Sequence, residues 1–598
     1  MPIKTTNHHG TGAARRIVIY DTTLRDGAQG PAVSFSSSDK LRIARTLDGL
    51  GFDYVEGGFP GSNPKDEELF AELASHPLKR ARLAAFGATR RAGGTCADDA
   101  NLQALARSQA PTWTLVGKSD TWQVSTVLQT TPNENLAMVR ESVAHGVSLG
   151  REVIFDAEHF FDGFARDSEY AVEVCLEAAR AGATWVVLCD TNGGSLPAEI
   201  REGVEAVRNS LEELKGSARV GIHCHNDCEL AVANTLEGVA AGADMVQGTI
   251  NGYGERCGNA NLVSVVANLV LKLGMEALPA GTLARATDLS RTVAEIANVA
   301  LPLQQPFVGY GERCGNANLV SVVANLVLKL GLEALPSEAL AHSTDLSRTV
   351  AEIANLALPL QQPYVGYGAF AHKGGQHVAA VLKHSDSYQH IDPSLVGNEP
   401  HVLVSELSGR GNILAKAREF GLELDRDDPH TQWLVQHLKE LEHRGYSYEA
   451  ADASFEMLLR RLEPGYEAPW KVADFTTLVR QDGGTVHAEA TVKVEVGGSV
   501  YHTAASGNGP VNALDAALRK ALGPRFPGLR GVSLHDYKVR ILDGGAGTAA
   551  TTRVLIESGK GLKRWTTVGC SSNIIEASLA ALLDSFEYAH QSRSSNRT

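Results

Sequence analysis

Between residues 16 and 250 the chain alternates eight short β-rich runs with amphipathic helical runs. The strand candidates are "RIVIYD", "YVEGGF", "RLAAFGA", "TWTLVG", "EVIFDAE", "TWVVLCD", "RVGIHCH" and "DMVQGTI". Helical patterns follow them, such as "SDKLRIARTLDGLG" after the first and "EYAVEVCLEAARAGA" after the fifth. Nearly continuous apolar strands need cover on both faces, and consecutive β–α units supply it with a parallel sheet. Eight such units close into a (β/α)8 TIM barrel, an α/β fold expected here over residues 15–274. A doubly wound sheet competes with that reading. The spacing in "GYGERCG" (252–258) is wrong for a dinucleotide fingerprint, and no other candidate appears.

Composition narrows the class. The 598 residues are 43% hydrophobic and 21% charged, with a formal net charge of −14. So acidic a chain is a poor default binder of nucleic acid or anionic membrane. No run of about twenty apolar residues offers a membrane span. "MPIKTTNHHGTGAARR" lacks the apolar core of a secretory signal and reads, like "HQSRSSNRT" at the other end, as a loose tail. Eight scattered cysteines without a CxxC pair fit reduced thiols in the cytoplasm. Beyond the barrel, residues 275–365 form a linker and 366–465 a mostly helical lid region. From 466 to 590 the texture shifts to alternating strands and amphipathic helices, as in "HAEATVKVEVGG" and "NALDAALRKALG", and suggests a separate α+β domain.

Polar residues gather where the barrel strands end, at the mouth where such barrels keep their active sites. His223 and His225 stand at i and i+2 on the seventh strand, so both side chains take one face. Two imidazoles there form half a metal site, and Asp26, after the first strand, is the best third ligand. The bland alternative is a pair of histidines satisfied by hydrogen bonds. Arg25 beside that acid suits a substrate with a carboxylate next to a carbonyl, or else an ion pair with a neighbouring acid. Glu158 and Thr191 end the fifth and sixth strands, where each can hold or polarise a substrate; a Thr there can equally cap the following helix.

Two segments, "LRDGAQGPAVSFSSSDK" (24–40) and "HCHNDCELAVAN" (223–234), resemble the signatures of the 2-isopropylmalate synthase/homocitrate synthase family. "EGGFPGSNPKD", "FDAEHFFDG", "LCDTNGGSLP" and "QGTINGYGERCGNANL" are most similar to its citramalate synthase branch. The resemblance spans about residues 15–590. It implies a metal-dependent Claisen condensation of acetyl-CoA with a 2-oxo acid, pyruvate in that branch, followed by thioester hydrolysis. A larger 2-oxo acid, as in 2-isopropylmalate synthase, and a catalytically dead regulatory subunit are the rival readings. The metal is held by Asp26, His223 and His225 with Asn259 beside it; the family favours Mg or Mn, while imidazole softness leaves Zn open. Arg25, Gln29 and Thr191 then bind the 2-oxo acid. The resemblance further implies a lid that supplies His377 as base and Tyr388, and that reaches into the neighbouring subunit of a homodimer. Glu158 orients or relays, or alternatively acts alone through water. By the same resemblance the last domain is expected to sense an amino acid, isoleucine or else leucine. Two departures stand out. Glu229 occupies a position where the second signature has Gly, and Gln123 of "DTWQV" replaces an expected His.

The third departure is larger. Residues 252–308 recur as 309–365 at an offset of 57, with eight differences. Two copies without related units are not a solenoid. "GYG" at 252, 309 and 366 marks the copy edges and fits unequal recombination; the eight differences argue against an error in sequence assembly. The eighth strand runs into the first copy, so Asn259 is expected at the barrel mouth and the second copy as an in-frame insertion.

Overall fold

The computed structural model describes residues 15–591, apart from 63, 215–217, 298–313, 355, 357, 406–407, 423, 425–428, 450, 464, 483, 543 and 562. Most of both tails, and "LPLQQPFV" at the end of the first repeat copy, lie outside the described residues. The chain forms two compact units, residues 1–403 and 404–598.

In the first unit eight parallel strands close into a barrel in sequence order. They are β1 (Val18–Asp21), β2 (Tyr54–Gly58), β3 (Arg82–Ala88), β4 (Thr112–Lys118), β5 (Glu152–Glu158), β6 (Trp185–Asp190), β7 (Arg219–Cys224) and β8 (Met245–Gly248). Closure is direct, since β1 pairs with β8 from Val18 opposite Met245 to Asp21 opposite Gly248. All eight expected strands are present. The period-2 alternation of strand side chains splits the core in two. Tyr20, Tyr54, Ala84, Ile154, Trp185, Val187 and Met245 make one cluster. Their strand neighbours Ile19, Val55, Leu83, Val153 and Val186 make another with apolar helix faces such as Ile43, Leu47 and Val139. The helix after β1, Ser37–Leu50, shows the local logic: Ser36 and Asp39 form a capping box, and Gly51 ends the helix in the left-handed conformation at φ 83°.

After β8 the first repeat copy supplies helices Leu262–Leu271 and Ala286–Ala297. Leu262, Val265, Val266, Leu269, Leu289, Val293 and Ile296 bury themselves in the barrel's outer core. The second copy contributes helices Leu319–Ala324 and Ser343–Ile353; Val320, Val323 and Ala324 of the first of these join a separate small cluster with Cys228, Phe370 and Val396. The lid follows. A helix at Gly375–Val381 and a 3-10 turn at Ser385–Tyr388 are anchored by a short parallel pairing of Ala371–His372 with His401–Val402.

The second unit opens with helices Arg410–Glu419, Pro429–His443 and Asp452–Arg460. Two antiparallel three-stranded sheets come next, Lys471–Gly507 and Ser533–Ser571. Each is followed by a helix, Pro510–Leu522 or Ile574–Gln591. The four pieces share one apolar core, including Val492, Leu518, Ile556 and Leu582. No described helix is long and apolar enough to cross a membrane.

Candidate active site

The barrel mouth gathers residues from distant parts of the first unit. Asp26 follows β1, and its carboxylate Oδ2 lies 3.3 Å from His223 Nε2 and 3.9 Å from His225 Nε2. The two imidazole Nε2 atoms are 3.3 Å apart. Three donor atoms thus converge within 4.8 Å, the one such group among the described residues. His223 Nδ1 donates to Gln247 Oε1 at 2.8 Å, and Gln247 Nε2 donates to Asp156 Oδ1 at 3.0 Å. That chain fixes the tautomer that leaves Nε2 free to ligate. Burial, opposed by Asp26, holds His225 well below the ordinary imidazole range, so it stays neutral. Burial pushes the Asp26 carboxyl up, but the Arg25 charge and the histidines outweigh it and keep it well below the usual value. The loop after β8 brings Asn259 into an isolated bridge with His225. Asn259 Oδ1 and His225 Nδ1 are buried without a hydrogen-bond partner. Two imidazoles whose Nε2 atoms converge on an ionised carboxylate, with an orphaned amide oxygen beside them, fit a divalent cation.

Arg25 crosses this group. Its Nη1 lies 3.2 Å from Asp26, its Nε donates to Glu56 at 2.7 Å, and its guanidinium sits 4.0 Å over the Phe86 ring. Glu56, fully buried on β2, also accepts from Tyr20 and Thr22. The arginine is therefore held in one orientation, with its remaining edge available to an anion.

The lid closes over the same pocket. His377 Nδ1 is hydrogen-bonded to Glu255 Oε2 on the loop after β8. Despite burial, the charges of His377 and Arg256 hold the Glu255 carboxyl down at about 2. Tyr388 stacks on the His377 ring at 4.2 Å and donates to Glu158 Oε1 at 2.6 Å. Lys118, buried at the end of β4, donates to Tyr388 at 2.8 Å and pairs with Glu158 Oε2 at 2.7 Å. Burial raises Glu158, but Lys118, His159 and His377 overcome it and bring it to about 2. Gln123 Nε2 donates to Ser387 O at 2.8 Å, so the residue standing in for an expected His pins the lid next to Tyr388. Thr191 Oγ1 accepts from the His159 amide at 2.8 Å, and Thr191 and Gln29 both line the pocket.

The structure thus brings together Arg25, Asp26, Gln29, Glu158, Thr191, His223, His225, Asn259, His377 and Tyr388. Within this chain the lid lies over its own barrel, through the His377–Glu255 and Tyr388–Glu158 contacts. Four residues at the site escaped the sequence reading: Glu56, Lys118, Gln247 and Glu255. Glu255 stood inside a quoted motif, and Lys118 was detectable as a charge ending an apolar strand. The second repeat copy takes no part in the cluster of Asp26, His223 and His225; its Asn318 instead donates to Glu229 at 3.1 Å.

Comparison with known proteins adds three family matches. Residues 16–299 match the HMGL-like family, 364–445 the homocitrate synthase post-HMGL domain-like family, and 449–590 the LeuA allosteric (dimerisation) domain. The chain is 44% identical to the (R)-citramalate synthase of Aquifex aeolicus, over 96% of this chain and 98% of that one. It is 45% identical to the (R)-citramalate synthase of Synechocystis, over 95% of each chain. Identity falls to 27% with a 2-isopropylmalate synthase of Methanocaldococcus jannaschii, again over most of both chains.

Proposed function

The chain belongs to the (R)-citramalate synthase family, and we propose that it joins acetyl-CoA to pyruvate and hydrolyses the thioester to give (R)-citramalate and free CoA. One observation carries the reading: the Asp26, His223 and His225 donors, Arg25 and the His377–Glu255 pair all face one small pocket. Phe86, Val116 and Cys189 line it too, leaving little room for an acceptor larger than pyruvate.

Each residue has a chemical task. Pyruvate lies with its carboxylate toward Arg25, between Gln29 and Thr191. Asp26, His223, His225 and Asn259 would hold a divalent cation, Mg or Mn by family and Zn by ligand softness, which would supply Lewis-acid polarisation of the ketone. His377 donates Nδ1–H to Glu255, so Nε2 carries the lone pair that takes a proton from the acetyl methyl group. The resulting carbon nucleophile forms a bond to the ketone carbon. Arg25 stabilises the negative charge that develops on the ketone oxygen. Glu158, ionised and fixed by Lys118 and Tyr388, is poorly suited to act as the base; it orients Tyr388 against the imidazole. Water then breaks the thioester, CoA leaves as the thiol, and the sequence becomes irreversible.

The second unit pairs two strand–strand–strand–helix halves and matches the LeuA allosteric domain. We assign it the binding of isoleucine as effector and the dimerisation of a cytoplasmic enzyme. Incubation with acetyl-CoA, pyruvate and Mn²⁺ tests the catalytic reading. Chiral chromatography should find (R)-citramalate in one-to-one ratio with free CoA; CoA release without citramalate would overturn it.

A further inference from the structure

The two repeat copies present the same side chains in opposite ways. Leu262, Val265, Leu289, Val293 and Ile296 of the first copy are 0–6% exposed against the barrel. Their identical counterparts Leu319, Val322, Leu346, Val350 and Ile353 are 71%, 39%, 59%, 38% and 81% exposed. An amphipathic helix pair whose apolar face points to water is a face without its cover. The matching cover is present in the fold: it is the barrel groove that the first copy occupies.

We propose that the two copies exchange between that groove and the outer berth, so that the second copy, with Asn316 in the place of Asn259, is an alternative occupant of the barrel seat. Four observations support it. First, the seat-facing residues just named are identical in both copies, and none of the eight differences falls among them. Second, the outer berth also uses shared residues. Asn318 donates to Glu229, Asn325 to Cys228 O, Lys329 to His390 O and Thr344 to Val396 O. The first copy has Asn261, Asn268, Lys272 and Thr287 at those places. Third, the seated unit is already a hybrid. Its loop and helices come from the first copy, while Gln361 of the second copy donates to Gly254 O at 2.6 Å. The crossover from one copy to the other therefore lies within the repeat and is free to move along it. Fourth, either arrangement loops out the same 57 residues, so closure entropy does not distinguish them.

Two differences favour the first copy in the seat. Thr282 donates to Leu50 O at 3.1 Å, and the second copy has Ala339 there. Gly281 holds φ +85°, where the second copy would place Glu338. A lost hydrogen bond and a side chain forced into the left-handed region together disfavour the second copy by roughly ten- to a few hundredfold. It is a minor occupant but a populated one.

A disulfide trap reads the exchange without reference to catalysis. Arg16 and Glu276 form an isolated parallel bridge at the edge of the seat. Bridged residues lie within disulfide reach. Glu333 is the counterpart of Glu276. In the full-length protein, Arg16→Cys with Glu276→Cys should oxidise rapidly within one chain. Arg16→Cys with Glu333→Cys should also oxidise to completion within one chain, about ten- to a few hundredfold more slowly. A second pair still reduced after a thousand half-times of the first would overturn the proposal. Thiol labelling of the unaltered protein gives a second reading. Cys257 is buried while its counterpart Cys314 is exposed. Exchange should label Cys257 ahead of the barrel cysteines Cys175 and Cys224; equal protection of all three would speak against it.

Discussion

The imidazole of His377, on the lid, is hydrogen-bonded through Nδ1 to the carboxylate of Glu255, on the loop that follows β8. One group comes from each side of the closed pocket, so the pair forms only when lid and barrel loop are both in place. Glu255→Gln keeps the shape but removes the carboxylate charge that faces the His377 imidazole. A positioned acid–base group contributes about 10²- to 10⁴-fold to rate. His377→Ala should therefore lower kcat by about that factor and Glu255→Gln by somewhat less. KM for pyruvate should change little in both, as steady-state kinetics will show. A large rise in KM with kcat preserved would place the pair in binding instead.

The donors around Asp26 give a prediction that needs no turnover. Mn²⁺ at about a hundred times its Kd should add roughly 2.7 kcal/mol to the stability of the barrel unit. Calorimetry should show this as a rise of a few degrees in Tm, abolished by chelator and absent in Asp26→Ala. An equal rise in that variant would show the cation bound elsewhere.

Glu158 sets an acid limit. Its carboxyl lies at about 2 in the folded chain, below the ordinary value of 4.5, held down against burial chiefly by Lys118. A depressed carboxyl contributes stability that is present above the unfolded value and is lost as pH falls through the folded one. That contribution is on the order of 3 kcal/mol, fading between about pH 4.5 and pH 2. Glu158→Gln should thus be less stable than the parent at pH 7 in denaturant unfolding, with the gap closing toward pH 2. A gap constant across that range would show that Glu158 does not titrate as its surroundings dictate.

Removing residues 309–365 should leave an active enzyme. The junction joins Val308 to Gly366, and the first copy's own "LQQPFV" replaces the tail that now docks through Gln361. The cost is local: Phe307 takes the place of Tyr364, whose hydroxyl contacts Cys228 at 3.2 Å. In the full chain, Asn259→Ala should lose most activity and Asn316→Ala little. Should Asn316→Ala prove the crippling change, the second copy would be the principal occupant of the seat.

The barrel was legible because its signal is repeated. Each strand carries a short apolar run, each helix a 3.6-residue period, and eight units in succession leave little choice of topology. His223, His225 and Asp26 were legible because imidazoles and a carboxylate at strand ends have few other uses. Their supports were not. Glu56 and Gln247 sit inside apolar strands, and a single polar residue there does not say whom it faces. The Gln247 link from His223 to Asp156 exists only once β5, β7 and β8 are closed into a barrel. The partner of His377 was hidden for the same reason, since 122 residues separate it from Glu255. The repeat was legible through its connection: the eighth strand runs into the first copy, so that copy takes the seat, and one seat cannot take two occupants.

The central claim is that this pocket condenses acetyl-CoA with pyruvate, and the most direct measurement is kcat/KM for a panel of 2-oxo acids, following free CoA. Each added methylene in a tight apolar pocket changes discrimination by about 10- to 200-fold. Pyruvate should therefore exceed 2-oxoisovalerate by at least about tenfold, with CoA release negligible when no 2-oxo acid is present. A kcat/KM for 2-oxoisovalerate equal to or above that for pyruvate would contradict the claim.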